Sequence, residues 1–169
     1  KLRIEGEIVA PVLSGMANEG NPFRGLLYSG LMLTADGPQV IEFNVRFGDP
    51  EAQVVLPLVE EPLAPLLMAA AERRLDSAPW SGAAAGTHSC AVGVVLAATG
   101  YPGVVQTGQR IEGLEDLAHG YPDVLAFFAG VGASERGLVT NGGRVMTLVA
   151  RGHTCEAAID LVYDAVNRV

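Results

Sequence analysis

The sequence is poor in cysteine, in charge and in long apolar runs. Its 169 residues include two cysteines, Cys90 and Cys155, and 18% charged residues. Two cysteines without metal-ligand spacing exclude a disulfide scaffold and favour a reduced, cytoplasmic setting. No apolar run reaches the roughly 20 residues that a membrane-spanning helix needs. The composition therefore argues against a small secreted scaffold and against a membrane span.

Basic residues are also few. The chain has 11 Lys+Arg against 19 Asp+Glu, which gives a formal net charge of −8. Without a basic patch, binding to nucleic acid or to an anionic membrane is not expected. Hydrophobic residues make up 49% of the chain, which is enough to build a core. The length suits one domain or two small lobes, and a disordered tail is excluded.

The N-terminus suggests a piece of a larger protein. The chain begins at Lys1 rather than Met, and no signal-peptide region follows. Ile4, Ile8, Val9 and Val12 recur at helical spacing almost from the first residue. Because this predicted helix begins without a cap, we expect the chain to be part of a longer polypeptide.

Hydrophobic patterning predicts an α+β fold in two regions. Residues 1–80 are expected to hold the opening helix, a β-hairpin and two further helices. Residues 77–87 are small, contain Pro and are rich in Gly, which predicts a linker or a surface loop. Residues 88–169 contain short β-rich runs separated by glycine turns, followed by a helix for which Thr154 is a good N-cap. The second region is therefore expected to be a small β-rich lobe closed by a helix.

The second strand of the predicted hairpin alternates apolar and polar side chains. The apolar set, expected to face the core, is Ile41, Phe43 and Val45. The polar set, expected on the opposite face, is Glu42, Asn44 and Arg46. A carboxylate and an amide oxygen two residues apart suit Mg²⁺ beside phosphates, and a guanidinium there suits a phosphate or carboxylate. The alternative is a solvated polar face without a ligand.

Two other segments carry polar groups in glycine-rich turns. Asp49 and Glu51 lie in a Gly-Asp-Pro-Glu turn, where they are candidates for binding a substrate ammonium group or simply begin the next helix. Arg144 ends an Asn-Gly-Gly-Arg segment, whose backbone amides and guanidinium suit a phosphate. Asn-Gly is also the usual composition of a hairpin turn, so a structural role for this segment remains open.

Several strings resemble one enzyme family, and they occur in that family's order. They are MANEGNPFRGLLYSGLML, VIEFNVRFGDPEAQ, GVVLAATGYPG, TNGGRVM and RGHTCEAA. The chain resembles the phosphoribosylamine–glycine ligases, also called glycinamide ribonucleotide synthetases, which belong to the ATP-grasp ligases. The resemblance spans nearly the whole chain. It implies that residues 1–80 are the C-terminal part of an ATP-grasp domain and that 88–169 are the C-terminal lobe.

The resemblance also implies roles for individual residues. Glu42 and Asn44 match the family's ligands for Mg²⁺ or Mn²⁺, and Arg46 matches an Arg beside the transferring phosphate. The position where many ATP-grasp enzymes carry another metal carboxylate falls near Gly30, so a second metal site is not evident. The residues expected near glycine are Asp49 and Glu51.

The activity implied is ATP-dependent ligation of glycine to 5-phosphoribosylamine through glycyl phosphate. The expected partner of this chain is the N-terminal part of the same enzyme, with the adenine pocket and the phosphoribosylamine-binding domain. Two alternatives remain open at this point. One is a different ATP-grasp carboxylate–amine ligase or carboxylase, and the other is a non-catalytic binding or assembly module.

Overall fold

The computed structural model describes residues 2–77, 90–135 and 137–169. Contacts divide the chain into two compact units. The N-terminal unit comprises residues 1–48 and 61–81, and the C-terminal unit comprises residues 49–60 and 82–169. The predicted linker, from residue 78 onward, lies outside the described residues. The predicted division into regions 1–80 and 88–169 stays a prediction.

Helices and strands are interspersed along the chain, and the predicted α+β class is confirmed. The α-helices are α1 (Leu2–Ile4), α2 (Ala10–Asn18), α3 (Glu51–Val55), α4 (Leu63–Ala71), α5 (Leu114–Gly120) and α6 (Cys155–Val166). The strands are β1 (Tyr28–Thr34), β2 (Gly37–Asn44), β3 (Cys90–Ala97), β4 (Val124–Phe128), β5 (Val131–Ser134), β6 (Gly137–Thr140) and β7 (Arg144–Gly152). Glu5–Val9 is a π-helical segment, and Leu56–Leu58 and Leu75–Ser77 are 3₁₀ turns.

The N-terminal unit opens with a helical run, as predicted. A π-helical segment, Glu5–Val9, joins α1 to α2 and contributes the buried side chain of Ile8. Arg3 Nε donates to Glu7 Oε1 at 2.8 Å across one helical turn. This hydrogen bond lowers the pKa of Glu7 and raises that of Arg3. The pair is exposed, so its contribution to stability is small.

The predicted hairpin is confirmed as an antiparallel pair of strands, β1 and β2, but its apolar face is not buried. Ile41 is 65% exposed, Val45 is 72% exposed, and Phe43 is exposed as well. The prediction that these three residues face a core is therefore wrong for the described part of the chain. A two-stranded sheet buries an apolar face only when another layer covers it, and strand alternation alone does not supply that layer.

The C-terminal unit is built on a three-stranded antiparallel sheet with strand order β3-β7-β4. β7 is the central strand, and Leu148, Val149 and Ala150 on it are fully buried. Helix α6 packs on this sheet and contributes Val162 and other buried side chains to its core. The central strand is buried on successive residues because α6 packs against it, and α3 also contacts β7. β5 and β6 form a separate two-stranded sheet.

Helix α6 begins where the sequence predicted. The Thr154 side chain accepts a hydrogen bond from the Ala157 backbone N–H at 3.2 Å, which satisfies a donor in the first turn. At the C-terminal end of α6, the Tyr121 hydroxyl donates to Asp164 at 2.7 Å and accepts from Arg168 Nε at 3.1 Å. The contact with Tyr121 raises the pKa of Arg168.

Cys90 and Cys155 form a disulfide, which the cysteine count had not predicted. The residues are 65 positions apart, but their Cα atoms are 5.4 Å apart. The sheet register explains the pairing, because Cys90 lies opposite Gly152 and α6 begins three residues later. Sequence spacing does not reveal such a register. The reduced, cytoplasmic setting expected from the cysteine count stays a prediction.

None of the described helices is by itself both long and apolar enough to cross a membrane. The consecutive segments Glu51–Leu58 and Leu63–Ala71 meet the length and composition requirement only when taken together.

Truncating the central strand should destabilise the protein. We expect Val149→Ala to lower the free energy of unfolding by about 2 kcal/mol, since the lost methyl groups leave a cavity that packed neighbours cannot fill. The matched control is Val104→Ala, because Val104 is 94% exposed whereas Val149 is 0% exposed. Urea unfolding measures the free energy of unfolding of both variants. Equal losses in the two variants would contradict the central position of β7.

Candidate functional site

Glu42 and Asn44 lie together on β2, as the alternation predicted. Asn44 Nδ2 donates to Glu42 Oε1 at 2.9 Å, so the amide and the carboxylate share one side of the strand. Glu42 is exposed and Asn44 is partly buried. The pair offers hard oxygen donors at one place on the β1–β2 hairpin. Such donors suit Mg²⁺ or Mn²⁺ rather than a soft metal.

A β-bulge lies directly beside Glu42. Gly30 pairs with Glu42 and Leu31 pairs with Val40, so Ile41 is the extra residue on β2. A Cβ at position 30 would lie 3.1 Å from Glu42 Cγ, and the missing side chain leaves room for Glu42 to lie across β1. Bulges of this kind redirect a side chain at a sheet edge. Gly30 therefore accommodates the side chain of Glu42. Having no side chain, it offers no carboxylate of its own to a metal.

Arg46 follows the strand and is exposed. Its Nη1 donates to the backbone carbonyl of Phe47 at 2.7 Å. This bond uses one of the five guanidinium N–H groups, so the side chain keeps donors for an anion. The predicted role of Arg46 beside a phosphate stays a prediction.

The predicted substrate residues Asp49, Glu51 and Arg144 fall in the C-terminal unit. Arg144 Nη2 donates to Asp49 Oδ2 at 2.9 Å, and Arg144 Nη1 donates to the Asp49 carbonyl oxygen at 2.9 Å. Gln53 Nε2 donates to Asp49 Oδ1 at 3.0 Å. Both carboxylate oxygens of Asp49 therefore have partners within the protein. Substrate binding by these residues stays a prediction.

Glycines set the position of Arg144 at the start of β7. Gly130 N donates to Arg144 O at 2.9 Å, and Ala98 N donates to Gly143 O at 2.8 Å. A Cβ on Gly130 would lie 2.7 Å from Arg144 O and 2.8 Å from Gly142 Cα. Two backbones can approach this closely only where a side chain is missing. The glycines of the Asn-Gly-Gly-Arg segment thus serve a packing function, whatever else they bind.

The two turn motifs of the C-terminal unit are neighbours. A Cβ on Gly143 would lie 2.6 Å from Cδ2 of Tyr101, so the Tyr101 ring lies against that glycine. Tyr101 belongs to the Gly-Tyr-Pro-Gly turn after β3, and its hydroxyphenyl group is about half exposed. The structure therefore brings together two segments that lie 40 or so residues apart in the sequence.

Among residues 2–77, 90–135 and 137–169, no group of three or more His, Cys, Asp and Glu side chains is arranged to hold a metal ion. A metal bound by one carboxylate and one amide needs further oxygens from elsewhere. Mg²⁺ is often held in this way, with substrate phosphates and water completing its shell. Glu42 and Asn44 fit that kind of site and not an all-protein cage.

Gln53 and Gly130 were not singled out from the sequence. Gln53 follows Asp49 by four residues, which is the spacing of neighbours on a helix face, so this contact had a detectable pattern. No sequence pattern pointed to Gly130, because its close approach to Arg144 and Gly142 arises only once β4 and β7 are paired.

Two family models match the chain, one after the other. The model described as phosphoribosylglycinamide synthetase, ATP-grasp (A) domain, matches residues 1–52. The model described as phosphoribosylglycinamide synthetase, C domain, matches residues 91–169. The motif resemblance seen in the sequence is thus confirmed.

Curated relatives are similar to this chain over nearly its whole length. A phosphoribosylamine–glycine ligase of Halalkalibacterium halodurans is 43% identical over 163 residues, covering 96% of this chain and 36% of the relative. That of Streptomyces coelicolor is 45% identical over 166 residues, covering 96% of this chain and 38% of the relative. A bifunctional purine biosynthetic protein of Schizosaccharomyces pombe is 42% identical over 168 residues, covering 98% of this chain and 20% of the relative. The chain spans well under half the length of these relatives.

A solved structure has the same fold. The crystal structure of phosphoribosylamine–glycine ligase from Thermotoga maritima matches with a TM-score of 0.74 and 32% sequence identity. The match covers 99% of this chain and 40% of that chain.

Adding a methyl group at Gly130 should disturb the start of β7. We expect Gly130→Ala to lower the free energy of unfolding by about 1–3 kcal/mol, because the new Cβ meets backbone atoms that cannot rotate away. Gly120→Ala is the matched control, since a Cβ there meets nothing within 4 Å. Thermal melts compare the two. A Gly130→Ala variant as stable as Gly120→Ala would contradict this close approach.

Proposed function

Because the chain belongs to the phosphoribosylglycinamide synthetase family, we propose that it forms part of an ATP-dependent ligase joining glycine to 5-phosphoribosylamine in purine biosynthesis. The observation that carries this proposal is the match of two successive domains of that enzyme within one chain. A different ATP-grasp ligase or a non-catalytic module would not be expected to match both.

The proposed reaction has two transfers. The glycine carboxylate attacks the γ-phosphorus of ATP, which gives glycyl phosphate and releases ADP. The amine of phosphoribosylamine then attacks the glycyl carbonyl carbon, phosphate leaves, and the amine loses a proton as the amide forms. The protein contributes mainly by positioning the reactants and by neutralising charge. The rest of the enzyme is the proposed partner of this chain.

In this proposal Glu42 and Asn44 hold a divalent cation, Mg²⁺ or Mn²⁺. Their contact of 2.9 Å keeps both side chains on one side of β2, and the bulge at Ile41 directs Glu42. The cation, when bound, offsets the negative charge of the ATP phosphates. The hard oxygen donors of the pair are what support this assignment.

Arg46, in the N-terminal unit, and Glu51, in the C-terminal unit, each have a proposed role of their own. The guanidinium of Arg46 binds the transferred phosphoryl group, where its positive charge stabilises the charge that develops in the transition state. The carboxylate of Glu51, the first residue of α3, binds the glycine ammonium group. The positive charge of Arg46 suits a phosphate, and the negative charge of Glu51 suits an ammonium group.

The experiment that tests the proposal uses the full-length enzyme that contains this chain. Glu42→Gln keeps the shape of the side chain but removes its charge. We expect turnover at saturating substrate to fall by on the order of 10²–10³, as for other transition-state contacts. Formation of glycinamide ribonucleotide is measured across a magnesium titration, and thermal melts are recorded in parallel.

Glu156→Gln is the matched control, because Glu156 is an exposed carboxylate on α6. We expect its turnover to equal that of the wild type. Unchanged turnover of Glu42→Gln at low magnesium would refute the metal assignment. A wild-type enzyme that makes no glycinamide ribonucleotide from ATP, glycine and phosphoribosylamine would refute the proposed function itself.

A further inference from the structure

We propose that Arg144 and Asp49 are positioning residues that hold the turn at the start of α3, rather than ligands of the substrate. This inference rests on the proposed function, since it concerns how the enzyme binds glycine. It differs from the expectation from the sequence, which named both side chains as candidates for substrate binding and left a structural role open. The observations that carry it are the contacts of Asp49 and the anchoring of Arg144.

The contacts of Asp49 leave its carboxylate committed to the protein. Oδ2 accepts from Arg144 at 2.9 Å and Oδ1 accepts from Gln53 at 3.0 Å. Its backbone carbonyl accepts a further bond from Arg144 at 2.9 Å. A carboxylate that bound an ammonium group would have to give up or share these bonds. These three hydrogen bonds, all accepted by Asp49, instead hold the turn in place.

The other end of this arrangement is equally well anchored. Arg144 pairs with Ala97 across the sheet, and its carbonyl accepts from Gly130 N at 2.9 Å. The close approach of Gly130 to Gly142 fixes the backbone just before it. Because the backbone of Arg144 belongs to the central strand, its guanidinium reaches Asp49 from a rigid base. The contact joins residues 95 positions apart.

The chemistry of the contact requires arginine. Two terminal nitrogens donate to two different acceptors, a carboxylate oxygen and a carbonyl oxygen. The planar guanidinium provides this fork, whereas the lysine ammonium is a single point charge. Arg144→Lys should therefore keep the charge and lose the second bond.

The turn matters because it leads directly into α3. Glu51 comes two residues after Asp49 and begins α3, and Gln53 on the same helix also bonds Asp49. Losing the contact frees the first turn of α3, and with it the carboxylate that we propose binds glycine. A misplacement of about 1 Å costs up to about 10²-fold in catalytic efficiency. We expect the loss to appear in the KM for glycine and not in the KM for ATP.

A double-mutant cycle in the full-length enzyme tests the proposal. The variants are Arg144→Gln, Asp49→Asn and the combination of both. We expect each single variant to raise the KM for glycine by on the order of 10-fold, and the double variant to raise it no further. Additive losses, or a larger loss of ATP use than of glycine use, would overturn the proposal, because they indicate direct contact with substrate.

Two further sets of variants separate positioning from general destabilisation. Arg144→Lys should give a KM for glycine between those of the wild type and Arg144→Gln. The control pair is Arg151 and Asp123, which also joins β7 to a distant carboxylate, at 3.5 Å. Arg151→Gln and Asp123→Asn should leave the KM for glycine unchanged, even where they lower the melting temperature. A rise in the KM for glycine in these controls that equals the rise in Arg144→Gln would overturn a specific positioning role.

Hydrogen exchange distinguishes failure of this inference from failure of the proposed function. Amide exchange is measured without substrate over residues 51–56 in the full-length enzyme. We expect faster exchange in Arg144→Gln and in Asp49→Asn than in the wild type, and the same rate in the double variant as in the singles. Unchanged exchange would overturn the positioning role, whether or not the enzyme makes glycinamide ribonucleotide. Absence of that product in the wild type refutes only the proposed function.

Discussion

Burial of the central strand β7 is the constraint on which the C-terminal unit depends. Three successive residues of β7 are fully buried, namely Leu148, Val149 and Ala150. They are buried because β3 and β4 lie on either side of β7 and α6 packs on its face. The registers of the neighbouring strands are set by this strand. Arg144 at its start lies opposite Ala97, and Gly152 at its end lies opposite Cys90. The positions of the Asp49 contact and of the disulfide are both consequences of these pairings.

The motifs of the chain serve packing as well as chemistry. Glycines at 130, 142 and 143 allow loops to approach at the end of the sheet where Arg144 begins β7. On the β1–β2 hairpin, Gly30 leaves space for the side chain of Glu42. In both places a glycine determines where a charged side chain lies.

Local pattern predicted local structure well. The opening helix, the hairpin and the Thr154 cap each depend on spacing within a few residues, and each was found. Helix α5 was not predicted, because its seven residues include neither a side-chain cap nor a long apolar stripe. The burial expected for Ile41, Phe43 and Val45 was wrong, since alternation identifies an apolar face but not the layer that covers it.

The sequence by itself determined the opening helix, the hairpin, the family and the proximity of Glu42 to Asn44, because these depend on neighbours in the chain. The tertiary structure alone decided that Asp49 meets Arg144 and that Cys90 meets Cys155. Those contacts join residues 95 and 65 positions apart. They depend on strand register, and register is set by the sum of many weak side-chain contacts across the sheet rather than by any local motif.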